Sequence, residues 1–312
     1  MQEWCVENPE SIKVDVSSSQ CAHQIKLEEF LRPSSKRPSA LLILNQKIDI
    51  PQVFTKLWKN YGLRVCADGG ANQLYDFFRD DEHERTKYMP DYIVGDLDSL
   101  RDDVYAYYES HGVIILRQRT QNSTDFSKCL DAISLHWDSP EFINLVNNSA
   151  EENHSVDTYD GLEKLRHRMA SQNLVRINLL ALGGINGRFD QTVHSISQLY
   201  KLGSDDSQFN LCYLSSTDLI FLVPAHGTLI QYTQGFRKDC IGNCGILPMG
   251  GPTVIEESRG LKWDIGNWYT SIQDGKVSSS NRFVGEDRCY LKTKESIVMN
   301  VEILVGNLKY FL

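Results

Sequence analysis

Short apolar runs separated by helical stretches begin at Ala40 and continue to Ser216. Three of the intervening stretches, at 53–61, 104–109 and 126–135, have the spacing and polar starts of helices. This alternation of strand and helix predicts a parallel sheet with helices on both faces, which is a three-layer α/β domain. Six runs have the length and composition of buried strands: 41–44, 65–67, 92–94, 113–116, 177–182 and 211–214.

The pattern changes after Ser216, where short and often alternating apolar runs are separated by Gly, Pro, Asn and Asp. No helix of useful length is predicted in this part of the chain. Such a pattern is typical of an antiparallel sandwich or barrel, and we expect a β-sandwich domain over residues 217–312. The candidate strands lie at 219–223, 227–232, 245–247, 253–257 and 296–304.

Two further segments do not follow either pattern. Residues 1–38 are polar, show weak periodicity and end in a Pro-, Ser- and Lys-rich stretch, so we predict an N-terminal extension. Residues 138–172 are acidic and rich in Asn and Ser, which predicts a surface insertion carrying a short helix near 162–169. The α/β domain is therefore expected to span residues 39–216, with this insertion inside it.

Charge and apolar length exclude several classes of protein. A net charge of −9 argues against a duplex nucleic-acid binder, which needs a concentrated basic face. No apolar run approaches the roughly 20 residues that span a bilayer, and the first ten residues lack the apolar core of a signal peptide. Eight scattered cysteines favour reduced thiols, and Cys240 and Cys244 lack the second ligand pair of a zinc finger. We expect a cytoplasmic protein that binds neither membranes nor nucleic acid.

Carboxylates follow four of the candidate strands. The segments concerned are 68–72 (DGGAN), 95–99 (GDLDS), 121–125 (QNSTD) and 183–190 (GGINGRFD). One aspartate after a strand is ordinarily a turn residue or a helix cap. Four of them beyond one sheet edge repel each other unless a cation compensates the charge. Oxygen ligands without His or Cys favour Mg²⁺, which retains substrate phosphates in its shell, and a metal-bound nucleotide follows.

Glycines accompany two of these segments. Gly69-Gly70 and Gly183-Gly184 allow backbone N–H groups to approach a phosphate at a helix start, although tight strand-to-helix turns explain them equally well. Arg188 would supply a charged fork to phosphate. The phosphate-loop, dinucleotide and protein-kinase motifs are absent. From these residues alone, a transferase, a metal-dependent nucleotide hydrolase or nucleotidyltransferase, and a non-catalytic nucleotide sensor all remain open.

A family resemblance narrows these possibilities. The ordered motifs at 68–72, 95–99, 124–128 (TDFSK) and 183–191, followed by 260–264 (GLKWD) and 277–281 (VSSSN), resemble those of the thiamine pyrophosphokinases. The resemblance runs from about Ala40 to the C-terminus, and the extension and insertion are similar to those of fungal members. It implies an α/β catalytic domain joined to a β-sandwich, and a homodimer with active sites at the subunit interface. It also implies pyrophosphoryl transfer from Mg-ATP to thiamine, giving thiamine diphosphate and AMP.

The resemblance also implies roles for individual residues. Arg259 and Asp264 depart from the family pattern within the thiamine region, where a small hydroxyl residue and Asn are usual. Taken alone, Trp263 in its Leu-x-Trp run is more often a core residue than a ligand platform. The implied catalytic carboxylates are Asp68, Asp96, Asp98 and Asp125, the last three as Mg²⁺ ligands. The implied ATP contacts are Asn72, Gln121, Thr124, Lys128, Gly184, Arg188 and Asp190, and the implied thiamine contacts are Trp263, Ser278, Ser280 and Asn281.

Overall fold

A computed structural model describes residues 2–120, 122–148, 154–169, 175–204 and 208–312. The chain divides into two compact units. One consists of Ser34–Gly187, and the other combines Met1–Pro33 with Arg188–Leu312. This division joins the first 33 residues to the C-terminal part of the chain, whereas the sequence pattern places domain boundaries near residues 38 and 216.

The described residues contain the following elements. The strands are β1 (Trp4–Glu7), β2 (His23–Lys26), β3 (Ser39–Ile43), β4 (Leu63–Ala67), β5 (Tyr92–Gly95), β6 (Ile114–Arg117), β7 (His154–Ser155), β8 (Ile177–Leu182), β9 (Phe209–Leu214), β10 (Asp218–Val223), β11 (Thr228–Gln231), β12 (Ile241–Leu247), β13 (Thr253–Arg259), β14 (Trp263–Thr270), β15 (Ser278–Arg282), β16 (Arg288–Thr293) and β17 (Ile297–Ile303). The α-helices are α1 (Phe54–Asn60), α2 (Gly70–Phe77), α3 (Glu82–Arg85), α4 (Asp102–Ser110), α5 (Asp125–Asp138), α6 (Pro140–Asn148), α7 (Leu162–Met169), α8 (Phe189–Ser204), α9 (Gln234–Cys240) and α10 (Val305–Phe311).

Residues 34–187 form a parallel sheet with the order β8-β3-β4-β5-β6-β7. Every residue of β3 and β8 is buried, as expected for central strands covered on both faces. The predicted α/β class and the predicted helices α1, α4 and α5 are confirmed. The predicted run at 211–214 lies in β9, which pairs antiparallel with β10 and belongs to the other unit. In a parallel sheet the residues that follow β4 and β5 emerge at the same edge.

The predicted insertion packs against the sheet unit. Its helix α7 contacts α5, where Arg166 lies 3.3 Å from Asp131, and its start is fixed by the Leu162 N–H, which donates to Gln118 Oε1 at 2.8 Å. The short helix predicted near 162–169 is confirmed. Residues 149–153 and 170–172 of the insertion lie outside the described part of the chain.

The second unit contains two sheet sections, with the orders β1-β14-β13-β16-β11-β2 and β9-β10-β17-β12-β15. The strands pair antiparallel except β2 with β11, so the predicted antiparallel character is confirmed. The sequence pattern missed β14, β15 and β16 and the seven-residue helices α9 and α10. It also missed β1 and β2, which form the two outer strands of the first sheet. No helix in the described residues is both long and apolar enough to cross a bilayer.

Candidate active site

Asp68 follows β4 and is held in an unusual backbone conformation. Its φ of 44° lies in the left-handed region that residues with a Cβ rarely adopt. Its N–H donates to the Val94 carbonyl at 2.9 Å, and its Oδ2 accepts from the Ser99 N–H at 3.2 Å. The other carboxylate oxygen, Oδ1, is buried and has no hydrogen-bond partner among the described residues. Strain and an orphaned buried oxygen in one residue are typical of functional sites.

Asp96 and Asp98 follow the neighbouring strand β5. Leu97 between them has a φ of 68°, again in the left-handed region. The Asp98 N–H donates to Asp96 Oδ1 at 3.2 Å, and the Ser99 hydroxyl donates to Asp98 Oδ1 at 3.0 Å. Asp68, Asp96 and Asp98 each present a carboxylate oxygen within 4.8 Å of the others. The structure therefore brings three of the predicted catalytic carboxylates together.

Asp125 joins this group from the first turn of α5. The helix is capped by Thr124, whose side chain accepts from the Ser127 N–H at 3.2 Å, so Asp125 is not needed as the cap. Asp125 Oδ1 instead accepts from Lys128 Nζ at 2.9 Å, and the same ammonium lies 3.8 Å from Asp96 Oδ2. We call Asp68, Asp96, Asp98 and Asp125 the acidic cluster.

Gly95 allows the cluster to be this compact. A Cβ at this position would lie 2.8 Å from the Asp68 Cβ and 3.2 Å from Asp125 Oδ1. Any other residue would therefore push these two carboxylates apart. The sequence pattern identified Gly95 and Ser99 only as members of the motif at 95–99, and it did not predict the hydrogen bonds of Ser99 with Asp68 and Asp98. The feature of the sequence that could have indicated this role of Ser99 is its position directly after the two aspartates.

The electrostatics of the cluster follow from burial and like charge. Burial and the negative charges of Asp125, Asp96 and Asp98 together raise the pKa of Asp68 to about 6, against the opposing effect of the Ser99 N–H. Lys128 is almost completely buried and compensates part of this charge. A further cation would fit, because Asp68 Oδ1 has no partner and the three oxygens near it suit a hard divalent ion.

The predicted ATP contacts Asn72, Gly184 and Gln121 belong to the same unit of the chain, and Asn72 has a structural role there. Asn72 is buried, and its amide donates to the Ser99 carbonyl at 2.7 Å and accepts from the Arg101 N–H at 3.1 Å. It therefore holds the loop that carries Asp96 and Asp98. Gly184 is buried in the segment after β8. Gln121 lies outside the described residues.

The adjacent glycines Gly69 and Gly70 favour the structural interpretation. A Cβ at residue 69 would collide with the Asn45 side chain, and one at residue 70 would collide with the Ile43 carbonyl. These glycines are required for close packing of the turn between β4 and α2 against the end of β3.

Arg188 and Asp190 belong to the second unit, at the start of α8. Arg188 Nη2 donates to Asp190 Oδ2 at 2.6 Å, and more than half of each side chain is exposed. The guanidinium is therefore accessible but partly neutralised by its neighbour. An exposed pair of this kind contributes little to stability.

The predicted thiamine contacts lie on β14 and β15. Trp263 is 39% exposed, so the interpretation of this residue as a buried core side chain does not hold. Asn281 is buried, and both ends of its amide are bonded: Oδ1 accepts from the N–H groups of Trp263 and Arg282, and Nδ2 donates to the Trp263 carbonyl at 2.9 Å. Ser278 is half-buried and Ser280 exposed. Asn281 thus supports the Trp263 backbone.

Asp264, one of the two departures from the family pattern, has a structural role. The buried carboxylate accepts from Asn8 Nδ2 at 2.6 Å and the Ser258 hydroxyl at 2.9 Å. It also accepts from the N–H groups of Gly260 at 3.0 Å and Leu261 at 3.1 Å. These four donors stabilise its negative charge. The side chain points into the turn before β14.

The chain matches known proteins along its whole length. Residues 54–212 match the family model described as "Thiamin pyrophosphokinase, catalytic domain", and residues 231–298 match "Thiamin pyrophosphokinase, vitamin B1 binding domain". The thiamine pyrophosphokinase of Saccharomyces cerevisiae is 52% identical over 100% of both chains. The crystal structure of the yeast enzyme has a TM-score of 0.94, covering 99% of this chain and 100% of that one. The Candida albicans thiamin pyrophosphokinase has a TM-score of 0.82 at 38% identity, covering 97% and 99% of the two chains. The chain belongs to the thiamine pyrophosphokinase family.

Proposed function

We propose that this chain transfers the pyrophosphoryl group of Mg-ATP to the hydroxyl of thiamine, releasing thiamine diphosphate and AMP. The observation that carries the proposal is the acidic cluster, in which Asp68, Asp96 and Asp98 bring carboxylate oxygens together and Asp68 Oδ1 is buried without a hydrogen-bond partner among the described residues. Family membership selects this reaction over a nucleotide hydrolase or a non-catalytic sensor.

The residues present fit a magnesium ion. Asp68, Asp96 and Asp98 would hold it, since their oxygens lie within 4.8 Å of one another and none of the three is a nitrogen or sulfur donor. When bound, the ion supplies positive charge to the triphosphate oxygens. The sequence resemblance named Asp125 in place of Asp68, but Asp125 is 2.9 Å from Lys128. We therefore propose that Asp125 orients the Lys128 ammonium and forms part of the polar surface that faces the phosphates.

The chemistry left to the protein is positioning and proton transfer. The thiamine hydroxyl oxygen forms a bond to the β-phosphorus of ATP, the bond from that phosphorus to the oxygen shared with the α-phosphorus breaks, and AMP leaves with the bonding electrons. The hydroxyl proton passes to a carboxylate of the acidic cluster. Fixed positions for both substrates account for most of the acceleration in reactions of this type. We propose that the Arg188 guanidinium stabilises the negative charge of the phosphates.

Thiamine is a flat organic cation, and an exposed aromatic face suits it. Trp263 offers such a face at 39% exposure. Ser278 and Ser280 lie on β15, the next strand along the chain, and supply hydroxyl groups for the aminopyrimidine. Asn281 holds the Trp263 backbone in place rather than contacting the ligand directly.

Two further points complete the proposal. The enzyme is a homodimer with active sites at the subunit interface, as the family resemblance implies. It works in the cytosol, because all eight cysteines, which lie within the described residues, are unpaired, as a reducing compartment favours.

A product assay tests the reaction. Incubation with ATP, Mg²⁺ and thiamine should yield AMP and thiamine diphosphate in equal amounts, separated by chromatography. EDTA should abolish turnover. Formation of ADP with thiamine monophosphate would reject pyrophosphoryl transfer, and release of inorganic phosphate without a thiamine product would indicate a hydrolase.

A further inference from the structure

An N-terminal segment, residues 3–10, carries the outer strand β1, which pairs with the strand of Trp263. In β1, Glu7 pairs with Trp263 and Trp4 with Gly266, antiparallel to β14. The Asn8 N–H donates to the Lys262 carbonyl at 2.8 Å, which continues the pairing by one residue. The indole of Trp4 occupies the space where Gly266 has no Cβ. The N-terminal segment is therefore part of the sheet that carries the proposed vitamin-binding residue.

Three glutamates of this segment pair with three basic residues, Lys262, Arg282 and Lys276, of which Lys276 lies 5.2 Å from the Trp268 ring and two residues before Ser278 in sequence. Glu3 lies 2.8 Å from Lys276, and Glu10 lies 2.7 Å from Arg282. Glu7 and Glu10 each lie 3.2 Å from the ammonium of Lys262, whose side chain is only 11% exposed. Lys262 precedes Trp263, and Arg282 follows Asn281 in sequence. The glutamates are more exposed than their partners, so the segment covers positive charge with negative charge.

These ion pairs are expected to add little to the free energy of unfolding. Exposed ion pairs contribute at most about 1 kcal/mol and often nothing measurable. Their effect on the local potential is different, because each unpaired ammonium or guanidinium would repel a cationic ligand nearby. Without the glutamates, these three cations would lose the compensating negative charge that the N-terminal segment supplies.

We propose that Glu3, Glu7 and Glu10 determine the preference of this site for a cationic ligand by neutralising Lys262, Lys276 and Arg282. The inference deepens the proposed function and rests on it, since the ligand is the thiazolium-bearing substrate. Because salt screens exposed charges over a Debye length of about 8 Å, each charge should change affinity by only about twofold. Removal of all three carboxylates should weaken thiamine binding by about five- to tenfold.

The test replaces the three glutamates by glutamine in the full-length chain, which retains β1 while removing its charge. Isothermal titration calorimetry measures the Kd of thiamine and of an analogue with a neutral thiophene in place of the thiazolium. We expect the Kd of thiamine to rise five- to tenfold and that of the neutral analogue to change by less than twofold. The KM for Mg-ATP should stay unchanged, and 0.5 M KCl should reduce the thiamine effect.

A matched control removes the same net charge elsewhere: Glu82→Gln, Glu141→Gln and Glu163→Gln, at exposed positions of the other unit, should leave both affinities unchanged. A second pair of variants keeps the test decisive if the triple variant folds poorly. Glu10→Gln alone should weaken thiamine binding about twofold, and adding Arg282→Gln should restore it. Equal weakening of the cation and the neutral analogue, or no restoration by Arg282→Gln, would overturn the inference. A wild-type protein that makes no thiamine diphosphate would instead reject the proposed function.

Discussion

The ammonium of Lys128 lies 2.9 Å from the carboxylate of Asp125, one turn apart on α5, and its side chain is 1% exposed. A buried lysine requires compensating charge, and Asp125 and Asp96 supply it. Lys128 in turn places a positive charge among the four carboxylates of the acidic cluster. It thereby reduces the repulsion that the acidic cluster would otherwise have in the absence of a metal ion.

The variant Lys128→Met tests whether Lys128 compensates the negative charge of the acidic cluster. Without Mg²⁺ the variant should lose roughly 3 kcal/mol of stability, because breaking a buried pair leaves charges uncompensated. It should also gain more in melting temperature from Mg²⁺ than the wild type does, since the ion replaces the missing positive charge. Thermal melting with and without Mg²⁺ measures both. Lys164→Met, which breaks an exposed pair with Asp160, should change neither value. An equal Mg²⁺ response in Lys128→Met and wild type would contradict the compensation.

The acidic cluster can be separated from a turn or cap role by neutral substitutions. Asp96→Asn and Asp98→Asn keep side-chain size and remove charge, so turnover should fall by about a hundredfold or more while the fold persists. A structural role would instead lower stability by about 1 kcal/mol with activity nearly intact. Paired rate and melting measurements decide between these outcomes. Asp102→Asn, an exposed carboxylate in the first turn of α4, is the matched control and should keep full activity.

The sheet positions of this cluster were predictable from sequence, and its internal organisation was not. Apolar runs such as 65–67 and 92–94 lie in β4 and β5, so the positions of Asp68, Asp96 and Asp98 at one sheet edge followed from topology. The left-handed φ of Asp68 and Leu97 could not be predicted, because aspartate and leucine usually adopt other backbone conformations. The burial of Lys128 was equally hidden, because lysine is ordinarily exposed.

The strands of the second unit show a different limit. β15 has the sequence SSSNR and β14 contains Gly266 and Asn267, so neither presents the alternating apolar pattern by which strands are recognised. Their positions depend on tertiary partners, including the Asn281 amide and the N-terminal strand β1. A polar N-terminal segment predicted as an extension therefore supplies structure that only long-range pairing reveals.

Asp131 should impose a pH dependence on stability. Burial raises its pKa to about 6, although Arg166 at 3.3 Å favours the charged form. The folded state therefore holds the proton more tightly than the unfolded chain, whose pKa is near 3.8. The resulting stabilisation is fully present below pH 3.8 and is lost as the pH rises through about 6. Asp131→Asn removes this term, so its stability relative to wild type should increase by about 2 kcal/mol between pH 4 and 7.5.

Urea unfolding of both proteins at several pH values measures this difference, in which the other titrating groups cancel. Asp80→Asn, at an exposed position, should follow the wild-type pH profile. A constant difference between Asp131→Asn and wild type across this range would show that Asp131 is equally acidic in the folded and unfolded chains.

Asn281→Ala should affect thiamine and not Mg-ATP. Its amide binds both the N–H and the carbonyl of Trp263, so its removal frees the backbone that positions the exposed indole. We expect the KM for thiamine to rise by about tenfold while the KM for Mg-ATP changes little. Ser279→Ala, at an exposed position of the same strand, is the control and should retain the wild-type KM for thiamine. Parallel increases in both KM values would indicate a general loss of structure.

The same variant tests whether active sites are shared between subunits, as proposed for the homodimer. At low thiamine concentration, Asn281→Ala and Asp98→Asn chains should each be nearly inactive. If one subunit supplies Trp263 and its partner supplies the acidic cluster, each mixed dimer contains one site with both lesions and one site with neither. Subunit exchange should then restore up to a quarter of the wild-type activity at equal mixing, because half of the dimers are mixed and each has one of its two sites intact. Sites formed within one chain would each retain one lesion at every mixing ratio. An active monomer in sedimentation at assay concentrations, or verified mixed dimers without recovered activity, would reject the shared site.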